Sequence, residues 1–249
     1  MNFKISIITV TLNSSETLLE CLSSVSEQTY ENIEHIIVDG NSIDNTLELI
    51  KLTNNRVSKV ISEPDDGIYH AMNKGINIST GDIVGFLNSD DKFYNKYSIE
   101  LIVNSFINKK NIDCVYGNLI YVNQQNKITR NWVSCEYEVG LFEKSWTPAH
   151  PTFYCKKNVY DTIGLYNSNY SIAADVEFML RALRVNKLNF SFINKNLVTM
   201  RSGGVSNNGL KSTYVIVKEM IFAFSQNNLK LNIFKYLFYK ILKVKQFLK

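Results

Sequence analysis

The sequence predicts an α/β protein: a mainly parallel sheet with helices on both faces, a mixed second half and an amphipathic helix at the C-terminus. Three observations carry that expectation. Apolar, β-branched runs such as KISIITVTL show no clean polar alternation, as strands covered on both faces do not. Each run ends in a short polar loop and leads into apolar residues at helical spacing, and repeated strand–helix alternation builds parallel sheets. The loops TLNSSE, DGNSIDNT, EPDDG and NSDD all follow strands, so they gather at the carboxyl edge, where such sheets bind ligands.

The first strand is residues 4–12, after which Asn13 precedes Glu16 at capping-box spacing and Leu18, Leu19, Leu22 and Val25 recur as a helical stripe. The second strand, Ile33 to Val38, passes through DGNSIDNT into the helical ELIKL. The third, Val57 to Ile61, passes through SEPDDG into IYHAMNKGINI. The fourth, DIVGFLNS, ends at the acidic pair Asp90 and Asp91, and Ile99, Leu101, Ile102, Phe106 and Ile107 mark a helix behind it. After about residue 112 the pattern is mixed, with strands IDCVYGNLIYV and KITRNWV, an aromatic stretch GLFEKSWTPAHPTFY and a helix around ADVEFMLRALRV. The expected organisation is one domain in two halves, 1–112 and 113–228, with a separate tail, 229–249.

A hydrophobic content of 45% supports a sizeable core, and 12% aromatic residues argue against disorder. The four cysteines are scattered, with no CxxC pair and no Cys/His cluster, so neither a disulfide framework nor a structural zinc site is expected. The N-terminus runs straight into a strand pattern, and no uncharged apolar run approaches the roughly 18 residues of a spanning helix. The expected setting is a reducing cytosol. Charge is uneven: residues 229–249 carry six lysines and no acid, and the rest of the chain is slightly acidic. That distribution argues against a nucleic-acid partner, because the basic side chains sit in one amphipathic segment.

Several constellations can carry chemistry. Asp90 and Asp91 would repel unless a cation lies between them, and carboxylates beside a phosphate suit Mg²⁺ or Mn²⁺; the same pair could instead cap a following helix. In DGNSIDNT, Asp39 and Asp44 could accept hydrogen bonds from a ribose or base edge, or Ser42 and Asp44 could cap a helix. In EPDDGIYHAMNKG, Asp65 and Asp66 precede a helix whose Lys74 could face a phosphate. In IAADVEFMLRAL, Asp175 and Glu177 sit two apart at a helix start, so they project in different directions and at most one faces a cleft. Such a carboxylate could act as general base toward a hydroxyl, or simply complement the helix N-terminus. Of three histidines, His150 in PAHPTFY is the best placed to reach a ligand. No GxSxG, GxxxxGK[ST] or GxGxxG is present, which removes the usual signals for acyl hydrolysis, P-loop phosphotransfer and nicotinamide binding.

In order, ISIITVTLN, IIVDGNSIDNT, SEPDDGIYHAMNKG, TGDIVGFLNSDD and SIAADVEFMLRAL resemble the family 2 inverting glycosyltransferases with the GT-A (Rossmann-like) fold, over about residues 3–205. Within that family the chain looks most like bacterial enzymes of cell-surface polysaccharide biosynthesis. The resemblance implies a nucleotide-diphosphate sugar donor, by family preference a UDP-sugar, bound by the half 1–112. The acceptor, a glycan or lipid-linked hydroxyl, falls to 113–228. Thr11, Asn13 and Asp39 are implied near base and ribose. NSDD stands as the DxD-type motif, with Asp90 on the divalent ion (Mn²⁺ or Mg²⁺) and Asn88 where the first carboxylate usually is. Ala174-Asp175 takes the place of an acidic pair, making Asp175 the base. The donor-site candidates are completed by Asp66, Lys74, Ser89 and His150, with Asp91, Glu177 and Gly204, in the loop RSGGVSN, as support.

In the tail, Ile233, Phe234, Leu237, Phe238, Ile241, Leu242 and Leu248 share one side of a helix and Lys235, Lys240 and Lys243 the other, with Lys245 breaking the separation. This suits peripheral contact with an anionic membrane, at the cytoplasmic inner face if the acceptor is lipid-linked; packing on the body or a second subunit is the alternative. Two other functions compete: a nucleotidyltransferase, which would normally show a basic, Gly-rich loop where TLNSSE stands, and an inactive nucleotide-sugar or membrane-binding module, for which Asn88 is the motive.

Overall fold

The computed structural model describes residues 2–203 and 209–244. Strands β1 (Ile5–Thr11), β2 (Ile33–Asp39), β3 (Val57–Ser62) and β4 (Ile83–Phe86) lie parallel in the spatial order β3-β2-β1-β4. Helices α1 (Leu18–Ser26), α2 (Thr46–Leu52) and α3 (Ile68–Ile78) form the crossovers. Beyond β4 come the short β5 (Lys92–Phe93), helix α4 (Ser98–Asn108), the long β6 (Cys114–Val122) and β7 (Ile128–Trp132). Then follow β8 (Tyr154–Lys156), α5 (Lys157–Ile163), α6 (Ala174–Leu180), β9 (Phe190–Arg201), α7 (Gly209–Gln226) and α8 (Ile233–Val244).

One nine-stranded sheet joins both halves of the chain. The join is β8, antiparallel to β4 through Val84↔Cys155 and to β6 through Cys114↔Cys155. Gly85 makes it possible: a Cβ there would lie 1.9 Å from the Tyr154 ring, so only glycine lets that ring cross β4. Beyond β6 the sheet continues through parallel β9 to antiparallel β5, while β7 pairs with the far end of β6.

Side chains alternate across the sheet. Ile8, Val10, Ile36, Val38, Val84 and Phe86 pack with Tyr69, Met72 and Ile76 of α3, Tyr160 of α5 and Phe178 of α6. Ile5, Ile7 and Ile83 face the opposite way, onto Cys21 and Val25 of α1 and Ile99, Ile102, Val103 and Phe106 of α4. Burial of each such side chain is worth about 1.5–3 kcal/mol, against about 1 kcal/mol net for a hydrogen bond, so these two layers hold the sheet and the polar edge is left to function.

Local readings depart from the structure in three places. The capping box at Asn13 does not form: Ser14 O takes the amides of Thr17 and Leu18 at 3.1 and 3.0 Å, and α1 starts at Leu18 without a side-chain cap. No helix follows NSDD directly, because β5 intervenes and α4 begins only at Ser98, which removes the capping explanation for Asp90 and Asp91. Strand β9 and helix α7 went unforeseen. In the tail, Tyr236 is the anchor, 4% exposed, while Phe234, Phe238 and Ile241 are 85%, 60% and 69% exposed. Gly204, Lys245 and Leu248 lie outside the described residues, as does the side chain of Lys243.

Candidate active site

The parallel strands end in register, Thr11 beside Asp39 and Asp39 beside Ser62, so their loops share one rim. Asn13 adopts a left-handed φ of 50°, which turns its side chain onto the second loop. There its Oδ1 accepts the Ile43 amide at 2.9 Å, and its own amide donates to Ser42 Oγ at 2.8 Å. Asp39 is fully buried and accepts from the Ser42 amide at 2.9 Å, from Ser42 Oγ and from Ser62 Oγ at 2.7 Å. Asp44 takes the Thr46 hydroxyl at 2.5 Å and the Thr46 and Ser15 amides at 3.0 and 3.1 Å, and these bonds, the Thr46 hydroxyl foremost, hold it well below the usual carboxylate range. Ser89 Oγ donates to Ser14 Oγ at 2.9 Å and ties the NSDD loop to the first. Thr11 Oγ1 is buried without a partner.

The third loop is arranged differently from the expectation. Asp65 faces the rim, its Oδ2 only 3.0 Å from where a Cβ on Gly40 would stand, while Asp66 is exposed with its amide on His70 Nδ1 at 3.2 Å. Lys74 is held by Glu63 at 2.8 Å and Pro64 O at 3.0 Å, so it fastens this loop.

Asp90 and Asp91 sit in the tight connection between β4 and β5, where the Asp91 amide returns to Asn88 O at 3.0 Å. Asp91 is 1% exposed; Asn88 Nδ2 reaches its Oδ2 at 3.3 Å, and its Oδ1 has no partner, nor has Asn88 Oδ1. Burial first and the charge of Asp90 second push the Asp91 carboxyl well above the usual range. Burial raises Asp90 as well, tempered by its own backbone amide and by the charge of Arg201. Arg201, at the end of β9, shares Glu20 with Lys92, at 2.5 and 2.8 Å. Orphaned buried oxygens beside raised carboxylates fit a divalent cation. Among the described residues no group of three or more His, Cys, Asp or Glu could hold an ion unaided, and Mg²⁺ commonly binds through one or two carboxylates plus substrate phosphates.

Asp175 lies in the first turn of α6. Tyr69 Oη stands 3.3 Å from its Oδ1 and His150 Nδ1 3.3 Å from its Oδ2. His150 arrives on a 3₁₀ turn, His150–Thr152, pinned to β6 by Thr152 Oγ1, which accepts the Gly117 amide at 3.0 Å. Tyr121 lies within electrostatic reach of both Asp91 and Asp175, and Arg201 acts on both Asp90 and Asp91, so acidic pair and base candidate face one region. Glu177 points away, into a buried clamp with Arg181 at 2.7 and 2.9 Å; Arg181 also reaches Ile163 O, Gly164 O and Leu165 O. The two acids of α6 therefore diverge, as their spacing predicts. Tyr69 and Arg201 were not foreseen: Tyr69 reads as an apolar position of α3, and Arg201 belongs to the unforeseen β9.

The arrangement can hold a phosphorylated ligand over the strand ends and draw a proton beside it. The family model described as glycosyl transferase family 2 matches residues 6–165. A PGL/p-HBAD biosynthesis glycosyltransferase of Mycobacterium bovis is 29% identical over 180 residues, 71% of this chain and 68% of that protein. The fold is similar to TarS 1-349 of S. aureus, solved in complex with UDP-GlcNAc: TM-score 0.70 and 19% identity, covering 91% of this chain and 68% of that one. It is also similar to the mannosyltransferase PcManGT of Pyrobaculum calidifontis, solved with GDP-Man and Mn²⁺: TM-score 0.67 and 16% identity, covering 96% and 69%. With the family match spanning more than half of a chain whose sheet has the GT-A layout, the protein belongs to glycosyl transferase family 2 and is a glycosyltransferase.

Proposed function

We propose that the protein moves a sugar from a nucleotide-diphosphate sugar, a UDP-sugar by family preference, to a hydroxyl of a glycan or lipid-linked acceptor in surface glycoconjugate biosynthesis, with inversion at the anomeric carbon. The observation that carries this reading is Asp175 set between Tyr69 and His150, on a protein whose Asp90–Asp91 turn leaves the buried Asp91 Oδ1 and Asn88 Oδ1 without partners. Thr11, Asn13 and Asp39 form the base and ribose end of the rim, and the partnerless Thr11 Oγ1 is the group free to bind there. Asp90, flanked by Asp91 and by Asn88 Oδ1, would hold a divalent ion, Mn²⁺ or Mg²⁺, whose charge offsets that developing on the leaving diphosphate. Asp175 accepts the acceptor's proton as its oxygen attacks from the face opposite the leaving group. His150 holds one carboxylate oxygen at 3.3 Å, and Tyr69, whose hydroxyl is committed to Ile172 O, packs beside the other, which limits the orientations open to the base. A single displacement of this kind needs no covalent glycosyl-enzyme.

We place the protein on the cytoplasmic face of the membrane. No described helix is long and apolar enough to cross a membrane. The outward stripe Phe234, Phe238 and Ile241 of α8, with Lys235 and further lysines, has the make-up of an interfacial helix. The functional test is nucleoside diphosphate release from a panel of UDP- and GDP-sugars with Mn²⁺. Asp175→Asn is expected to lose about 10²–10⁴-fold in rate with donor binding intact. A variant as fast as the parent would remove Asp175 from its role.

A further inference from the structure

The geometry points to Glu219, on α7, as a positioning residue for Asp175, an inference that rests on reading Asp175 as the base. The first turn of a helix leaves amides without intrahelical acceptors. Helix α6 opens behind Ala173, which has no side chain able to cap it. The acceptor comes from elsewhere in the chain: the Ser171 amide donates to Glu219 Oε1 at 2.6 Å, and the Ile172 and Ala173 amides donate to Oε2 at 3.1 and 2.8 Å. The next two amides, of Ala174 and Asp175, face the Tyr69 oxygen, whose hydroxyl bonds Ile172 O. One carboxylate thus performs for α6 what a local cap performs elsewhere, and it sets a negative charge against the positive end of the helix.

Asp175 lies two residues beyond Ala173, the last residue that Glu219 grips. It cannot shift along or away from the site without lengthening bonds to a charged acceptor, which are among the stronger hydrogen bonds. Helix α7 does not need Glu219 for its own docking, since Met220, Ala223 and Phe224 are buried in the core and Phe222 packs 5.6 Å from the Tyr170 ring. The carboxylate acts on the segment 171–173, and through it on the base. Glu219 also lies beyond residues 6–165, so a segment outside the family match sets the geometry of the reaction.

The test uses the full chain with Mn²⁺, taking UDP-GlcNAc, UDP-glucose and GDP-mannose as donors and water as acceptor, and reads nucleoside diphosphate release. Glu219→Gln keeps the side chain's shape but turns an N–H toward at least one of the three amides. It is expected to lower kcat by about 10–100-fold, the scale of a misplacement near 1 Å, with donor KM within about twofold. Glu219→Asp should fall between Gln and the parent, and it carries the test should Glu219→Gln not fold. In an Asp175→Asn background, adding Glu219→Gln should cost less than about twofold more, because nothing is left to position. Equal losses in both backgrounds would show a merely structural role and overturn the inference, as would a folded Glu219→Gln protein with the parent's kcat. Full activity in Asp175→Asn alone would contradict the base assignment instead, so the two failures are told apart.

Discussion

Asp91→Asn should stabilise the metal-free protein, against the ordinary expectation for a buried residue. Asp91 is 1% exposed and its Oδ1 has no partner, while Asn88 Nδ2 at 3.3 Å and the Arg201 backbone amide offset burial in part. Leaving such a group unsatisfied costs about 1–3 kcal/mol, and the adjacent Asp90 adds repulsion. An asparagine keeps the shape and removes the charge. At about 2–4 °C per kcal/mol for a chain of this size, the gain is about 2–12 °C in Tm. The pH sign follows from the raised carboxyl. Because its folded pKa lies above the ordinary 3.8, its favourable contribution is present below that pH and lost as pH rises through the folded value. Parent and variant should therefore melt together near pH 4 and separate toward neutrality. Saturating Mn²⁺ with UDP should reverse the order, since a ligand at about 100 times its Kd adds about 2.7 kcal/mol to the protein that binds it. The assay is calorimetry in EDTA and in Mn²⁺ with UDP, from pH 4 to 8. A metal-free Asp91→Asn protein that melts at or below the parent at neutral pH would refute the reasoning.

Other consequences follow from the same geometry. Glu177→Ala strands Arg181 in a clamp whose side chains are 6% and 15% exposed, and should cost about 3–5 kcal/mol in urea unfolding. Burial lowers His35 to about 3 from 6.5, so it stays neutral when folded; below about pH 6.5 stability should fall by up to about 1.4 kcal/mol per pH unit from this group, and His35→Gln should flatten that limb of a ΔG-against-pH curve. Phe238→Asp, at a side chain 60% exposed, should release the protein from anionic vesicles in a sedimentation assay without changing its melting temperature.

What could be read in the sequence was whatever is local and repetitive. The stretch IYHAMNKGINI, Ile68 to Ile78, marks α3 at its actual ends, and the unbroken apolar strands give a sheet covered on both faces. The acidic loops lie on one edge because strand direction follows from the helical crossovers. Features decided by distant partners were not legible. Asn13 fits a capping box in sequence, yet Ile43 and Ser42 compete for its side chain and amide and win. Strand β9 is interrupted by the exposed Lys195 and Asn-rich FINKN, which hides its period and with it Arg201. Lys74 looks like a free cation until Glu63 is folded beside it. Tyr69 and Glu219 look like a helix stripe and a surface acid until α6 is docked between them, and no spacing in the chain encodes that meeting.

The central claim is a single displacement with Asp175 as base. Its most direct measurement is time-resolved ¹H NMR of the sugar released from an α-linked UDP-sugar in diamagnetic Mg²⁺, recorded before mutarotation. The account predicts the β-anomer as the first product, and its disappearance in Asp175→Asn. First appearance of the α-anomer would contradict it.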